Sequence, residues 1–161
     1  MTLATLVTST LGHPRRPART WLRSIYVVVA SACVHAAHPT QTPADALAAY
    51  RQSVLAMDID ATAELLEPDA QIHHADQAPI VGRDAIRKFL ETFRAYHVTA
   101  YVIDVASTVV TRDTATQRGN YHQEVTSPEG EAIHVDGVFE ASWHRDGDGR
   151  WRIARMHTNS R

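Results

Sequence analysis

The chain has 161 residues, 44% of them apolar and 21% charged, with one Cys and a formal net charge of −2. That length and composition fit one domain of ordinary soluble character. Every acidic residue lies at or after Asp45, so from Ala37 onward 12 basic residues stand against 18 acidic ones, a balance of −6. Such a domain has no excess of cations to displace counterions from phosphates, which argues against nucleic acid as a partner.

Residues 1–36 read as a signal segment. Arg15, Arg16, Arg19 and Arg23 form a basic stretch, Ile25 to Ala32 a short apolar run, and Ala30-Ser31-Ala32 a small-residue cleavage pattern before Cys33. A cut after Ala36 fits as well. The run is too short to span a bilayer. The expectation is export to the periplasm or outside the cell, with a lipid anchor at Cys33 as a variant and a cytoplasmic chain as the alternative. Without Cys33 no disulfide is possible, so the core must hold by burial.

Residues 37–42 read as a linker to a domain over 43–161. Thr42, Pro43 and Asp45 start a helix over about 43–57, with Leu47, Tyr50, Val54 and Met57 at helical spacing. Asp58 breaks it, and a short helix follows from Ile59 to Leu66, closed by Glu67-Pro68. Ala70 to Ala75 is a short strand. Asp84 opens a third helix with Ile86, Phe89, Leu90 and Phe93 facing the core. The pattern then turns to strands over 97–112, 114–126, 132–145 and 150–158, with turns at Arg112-Asp113, Ser127-Pro128-Glu129-Gly130 and Asp146-Gly147-Asp148-Gly149.

Alternation fixes faces on these strands. Ile133, Val135, Gly137, Phe139, Ala141 and Trp143 should face the core, and His134, Asp136, Glu140, Ser142 and His144 should face out. Pairing Thr126 with Ala132 puts Gly119, Tyr121 and Val125 inside, and sets His122 beside Asp136 and Arg118 beside Glu140. Trp151 and Ile153 share a parity with Arg155 and His157, so the last strand is expected to be covered on both faces.

The order helix, M-D-I-D, short helix, E-P-D-A-Q-I-H-H, then P-I-V-G-R-D-A-I-R-K-F-L resembles the α+β superfamily that includes nuclear transport factor two, ketosteroid isomerase and the SnoaL-like cyclases. The resemblance implies a cone: a curved antiparallel sheet wrapped around three N-terminal helices with one central pocket. Ketosteroid isomerase carries an oxyanion-stabilising Tyr at the place of Tyr50. Its base is an Asp five residues after the Asp of a D-D-A motif; here the motif is Pro68-Asp69-Ala70 and the fifth residue is His74. Its second oxyanion donor is an acid two residues before an aromatic; here Ala141 precedes Trp143, so that acid is absent.

On this resemblance His74 is the candidate base and Tyr50 the candidate donor. Equally, Tyr50 fits a core tyrosine and His74 a histidine bonded at a strand edge. Phe89, Phe93, Tyr121, Phe139 and Trp143 should form an aromatic wall for a small apolar molecule, with His157 at the mouth. The implied function is binding of such a molecule, with isomerisation, dehydration or cyclisation by proton transfer and without cofactor. The alternative is a non-catalytic ligand-binding or dimerisation module, and a homodimer is expected. His122, Glu124, His134 and Asp136 share one face and have zinc-ligand chemistry, but no tight spacing motif accompanies them and no metal is assigned. Nothing in the chain supports nucleophilic catalysis, since it has neither a G-x-S-x-G turn nor a phosphate loop.

Overall fold

Helix formation begins where the sequence supplies a cap. In the computed structural model, which describes residues 41–75 and 77–161, Thr42 Oγ1 accepts the Asp45 backbone N–H at 3.2 Å while the Asp45 carboxylate accepts the Thr42 backbone N–H at 2.9 Å. This reciprocal box sits ahead of Pro43 and satisfies donors that a helix start leaves open. The signal segment over 1–36, Cys33 and linker residues 37–40 lie outside the described residues.

Helix α1 spans Pro43–Leu55 and buries Ala46 and Leu47. It ends two residues before the expected position because the chain turns at Met57, whose φ is 51°. Asp58 then accepts the Ala61 N–H at 2.9 Å and starts α2, Ile59–Glu64. Thr62 Oγ1 donates to Ser53 Oγ at 2.9 Å, locking α2 to α1 inside the core. Strand β1 (Leu66–His74), strand β2 (Ile80–Val81) and helix α3 (Arg83–Glu91) follow. The chain closes with β3 (His97–Thr111), β4 (Thr114–Thr126), β5 (Ala132–Arg145) and β6 (Trp151–Ser160).

The expected cone is not what forms. The six strands make one open sheet in the order β2-β1-β6-β5-β4-β3, mixed rather than antiparallel and neither closed nor strongly curled. The parallel step is β1 against β6. Three hairpins alternate through β3, β4, β5 and β6, so β6 runs opposite to β3, and β1 lies beside β6 in the same direction. Closure fails because the edge at β2 is only two residues long, and β2 and β3 stand at opposite ends of the sheet. β1 also begins earlier than Ala70 suggests, at Leu66. Its first half is irregular, with a register shift between Leu66 and Gln71, where Pro68 has no N–H to offer a ladder. Arg83 covers that gap by donating to the Leu66 carbonyl.

The β4–β5 register is the expected one: Thr126 pairs with Ala132, His122 with Asp136 and Arg118 with Glu140. The last strand differs. Its ladder to β5 skips between Ser142 and Trp143, pairing Arg155 with Ser142 but Ile153 with Trp143. That bulge switches faces. Trp151, Ile153, Met156 and Thr158 therefore point to the helices, while Arg155 and His157 turn to the other side. The core lies between the helices and this face: Leu66, Ala141, Trp143 and Ile153 are completely buried there, with Ile86 of α3. Among the described residues no helix is long and apolar enough to cross a membrane.

Candidate functional site

His74 ends β1 opposite Thr158, on the helix-covered face. Its Nδ1 lies 2.8 Å from Thr158 Oγ1, and the Phe89 ring of α3 packs 5.7 Å away. Burial holds its pKa below the ordinary 6.5, because an imidazolium loses hydration there. With one ring nitrogen held by a hydroxyl, the other is left for an external partner. Phe89 and Phe93 meet edge to face at 5.2 Å, and Phe93 is 41% exposed at the rim. Phe89 of α3, backed by Phe93 just after the helix, thus shields the imidazole from one side.

A second cluster lies toward β3. Tyr50 of α1 meets Tyr101 of β3 at 6.5 Å, and Tyr101 meets Tyr121 of β4 at 6.4 Å, both edge to face. Burial pushes the Tyr50 phenol up to about 12, with Tyr121 adding to the shift. Burial likewise raises Tyr101 well above its usual value, and raises Tyr121. All three stay protonated donors at neutral pH. Among the described residues none of the three hydroxyls has a hydrogen-bond partner.

Two glycines seat the rings. A Cβ at Gly137 would meet Tyr121 Cε1 at 2.6 Å, and a Cβ at Gly119 would meet Phe139 Cε1 at 3.0 Å. The bare backbone is the floor on which these aromatics lie. Phe139, paired with both Thr158 and Gly119, separates the His74 cluster from the phenols. Among the described residues no hydrogen bond or ring contact joins His74 to Tyr50.

Trp143 is completely buried and belongs to the packed core. Its Nε1 has no partner, and neither has Oε1 of Gln117, a residue 1% exposed. The two stand on diagonal positions of one face, since Gln117 pairs with Ala141. Each is a buried polar atom with no protein partner among the described residues, at a cost of about 1–3 kcal/mol.

His157 is on the opposite, open face, 6.0 Å from the ring of His73. There it borders a depression of about 420 Å³ with Arg118, Asn120, Val138, Glu140 and Asn159. Phe139 contributes to the lining of the same depression, whereas Phe89, Phe93, Tyr121 and Trp143 do not. Sequence reading missed Tyr101, Thr158 and Gln117. The bulges in β3, between Val98 and Ala100 and between Val105 and Ser107, break the alternation that could have revealed Tyr101. The bulge in β6 hid Thr158.

Comparison with known proteins agrees with this architecture. The family model of the SnoaL-like domain matches residues 46–156. A ketosteroid isomerase-like protein from Erwinia carotovora atroseptica superposes with a TM-score of 0.64 at 19% identity, over 71% of this chain and 90% of that one. A conserved protein from Planctomyces limnophilus gives 0.67 at 16% identity, over 72% and 91%. A nuclear transport factor 2-like superfamily protein from Salmonella enterica serovar Typhimurium gives 0.62 at 17% identity, over 72% and 86%. These likenesses are of fold. No curated protein matches the sequence.

Proposed function

Since the chain belongs to the SnoaL-like family, we propose that its domain binds a small, mostly apolar molecule on the helix-covered face and moves a proton on it without a cofactor. The observation that carries this reading is His74: half-buried, kept neutral by desolvation, and pinned by Thr158 on one nitrogen. A neutral imidazole in that setting is a competent base near neutral pH. The chemistry within its reach is isomerisation, dehydration or aldol-type cyclisation. In each, a base removes a proton beside a carbonyl and a donor stabilises the oxyanion.

Tyr50 is the proposed donor. It shares no contact with His74, so the two would act at separate points of one ligand. Phe89, Phe93, Tyr121 and Phe139 supply the ligand's apolar contacts.

A second reading, a non-catalytic binding or dimerisation module, is favoured by two specific features. Ala141 stands where the isomerase resemblance requires an acid, and Trp143 fills its space completely. Val102 and Val109 lie on the open face, 45% and 63% exposed, which supports a second copy packing there. Export, proposed from the basic and apolar segments before Ala37, is compatible with either reading.

Native mass spectrometry separates the two. Protein purified without denaturation, as wild type and as His74→Ala, is analysed for bound small molecules and then incubated with them. The catalytic reading expects the wild type to carry or turn over a molecule that His74→Ala retains unchanged. Identical profiles with no turnover by either protein would leave the binding module.

A further inference from the structure

The open face holds a square of four side chains that the proton-transfer reading leaves unused. His122 and Asp136 face each other across β4 and β5, and Glu124 and His134 form the next such pair on the same face. His122 Nδ1 lies 2.9 Å from Asp136 Oδ1. That carboxylate takes the Nδ1–H and leaves a lone pair on Nε2. His122 Nε2 is 3.5 Å from Glu124 Oε1, and His134 Nδ1 is 3.9 Å from the same oxygen. One ligand atom each from His122, Glu124 and His134 fall within 4.8 Å of one another. The two imidazoles are nearly parallel, with 19° between their planes.

Those spacings suit a metal ion. Zinc bonds of 2.0–2.2 Å in tetrahedral geometry set neighbouring ligand atoms roughly 3.3–3.5 Å apart. The His122–Glu124 separation is already there, the His134–Glu124 one is close, and a rotation of the exposed His134 ring closes the third side. A carboxylate on the far nitrogen of a metal-binding imidazole fixes its tautomer and orientation, which is the position Asp136 holds. Adjacent paired strands present all four groups rigidly, so little ordering is needed on binding.

We propose that His122, Glu124 and His134 bind a divalent transition-metal ion of the zinc class, with Asp136 as the orienting residue. Two imidazoles and one carboxylate select zinc over magnesium or calcium, which want oxygen ligands throughout. Three protein ligands leave the fourth tetrahedral position to water or to a donor from outside. The site is on the opposite face from His74 and is independent of the proton-transfer reading.

The test is isothermal titration of the full chain, stripped with chelator, using zinc chloride. One ion per chain is expected. His122→Ala with His134→Ala should weaken binding at least 100-fold, and Asp136→Asn about tenfold. His144→Ala should leave it unchanged, because that ring bonds Glu67 elsewhere on the face. Calcium chloride should give no binding heat. Circular dichroism establishes that each variant is folded. If the double variant is not, zinc-induced shifts of the His122 and His134 ring protons in the wild type decide the matter. No zinc uptake, equal affinity in wild type and double variant, or shifts confined to other histidines would overturn the proposal.

Discussion

At the scale of single residues the proposed chemistry depends on how two polar groups are held. His74 has one hydroxyl partner and one aromatic neighbour. Burial lowers its pKa in the folded chain below the unfolded value of 6.5. The folded state therefore binds this proton less readily than the unfolded one. Stability is complete above pH 6.5 and falls as the pH drops toward the folded pKa. The stability difference between wild type and His74→Gln, followed by urea unfolding, should therefore move against the wild type on acidification below that value. A difference independent of pH would mean that His74 is not desolvated. Thr158→Val removes the partner of Nδ1 and should cost about 1 kcal/mol in the same assay; a methyl in place of the hydroxyl also deepens the desolvation, so the His74 pKa followed by NMR should fall further and not rise. Tyr50→Phe is the contrasting case. Its hydroxyl has no partner among the described residues, so removal should change stability by less than about 1 kcal/mol, while ligand retention in native mass spectrometry should drop. A large loss of stability with unchanged retention would make Tyr50 a purely structural residue.

At the scale of elements the site is set by where β4 and β5 lack side chains. A Cβ at Gly119 would sit 2.0 Å from the Asp104 carbonyl oxygen, and one at Gly137 would sit 2.5 Å from that of Asn159. Backbone cannot swing aside as a flexible side chain can. Gly119→Ala and Gly137→Ala should each destabilise by about 1–3 kcal/mol in chemical denaturation. Gly137→Ala should also displace the Tyr121 ring and weaken ligand binding. The faces of these two strands were legible from alternation, because apolar and polar residues alternate from Ile133 to His144 with Val138 as the one exception, and one turn sets the register. Elsewhere the pattern failed for local reasons. β2 is too short to show a period, Pro68 disguised the start of β1, and single-residue bulges in β3 and β6 reversed the parity on which face assignments rest. The residues of the candidate site divided in the same way as to face. His74 and Tyr121 fell on the face that alternation or resemblance assigned. His157 did not, and Thr158 was invisible without the bulge.

At the scale of the whole molecule, an open sheet has to hold its parallel β1–β6 step without a hairpin to enforce it. Two long-range ties do this beside the ladder. Arg152 donates to the Glu64 carbonyl at the end of α2, and Gln41, just before α1, takes both nitrogens of Trp151. Its Oε1 accepts the Trp151 backbone N–H at 2.9 Å and its carbonyl accepts the indole Nε1–H at 2.9 Å. These bonds span 110 residues, so they close a long loop that local structure cannot close. The Trp151 ring they orient is 3% exposed. Only the bond to the Gln41 side chain is open to mutation. Gln41→Ala leaves the Trp151 amide without its acceptor and should cost about 1–2 kcal/mol, with unfolding still a single cooperative transition. Amide exchange at Trp151 should quicken by about tenfold or more, while that of Val125 and Ile133 in the β4–β5 hairpin changes only by the global loss of stability. Equal acceleration at all three amides would mean that the tie merely adds to overall stability. A selective effect at Trp151 would mean that the first residues before α1 hold the last strand in place, and with it Thr158 and the imidazole of His74.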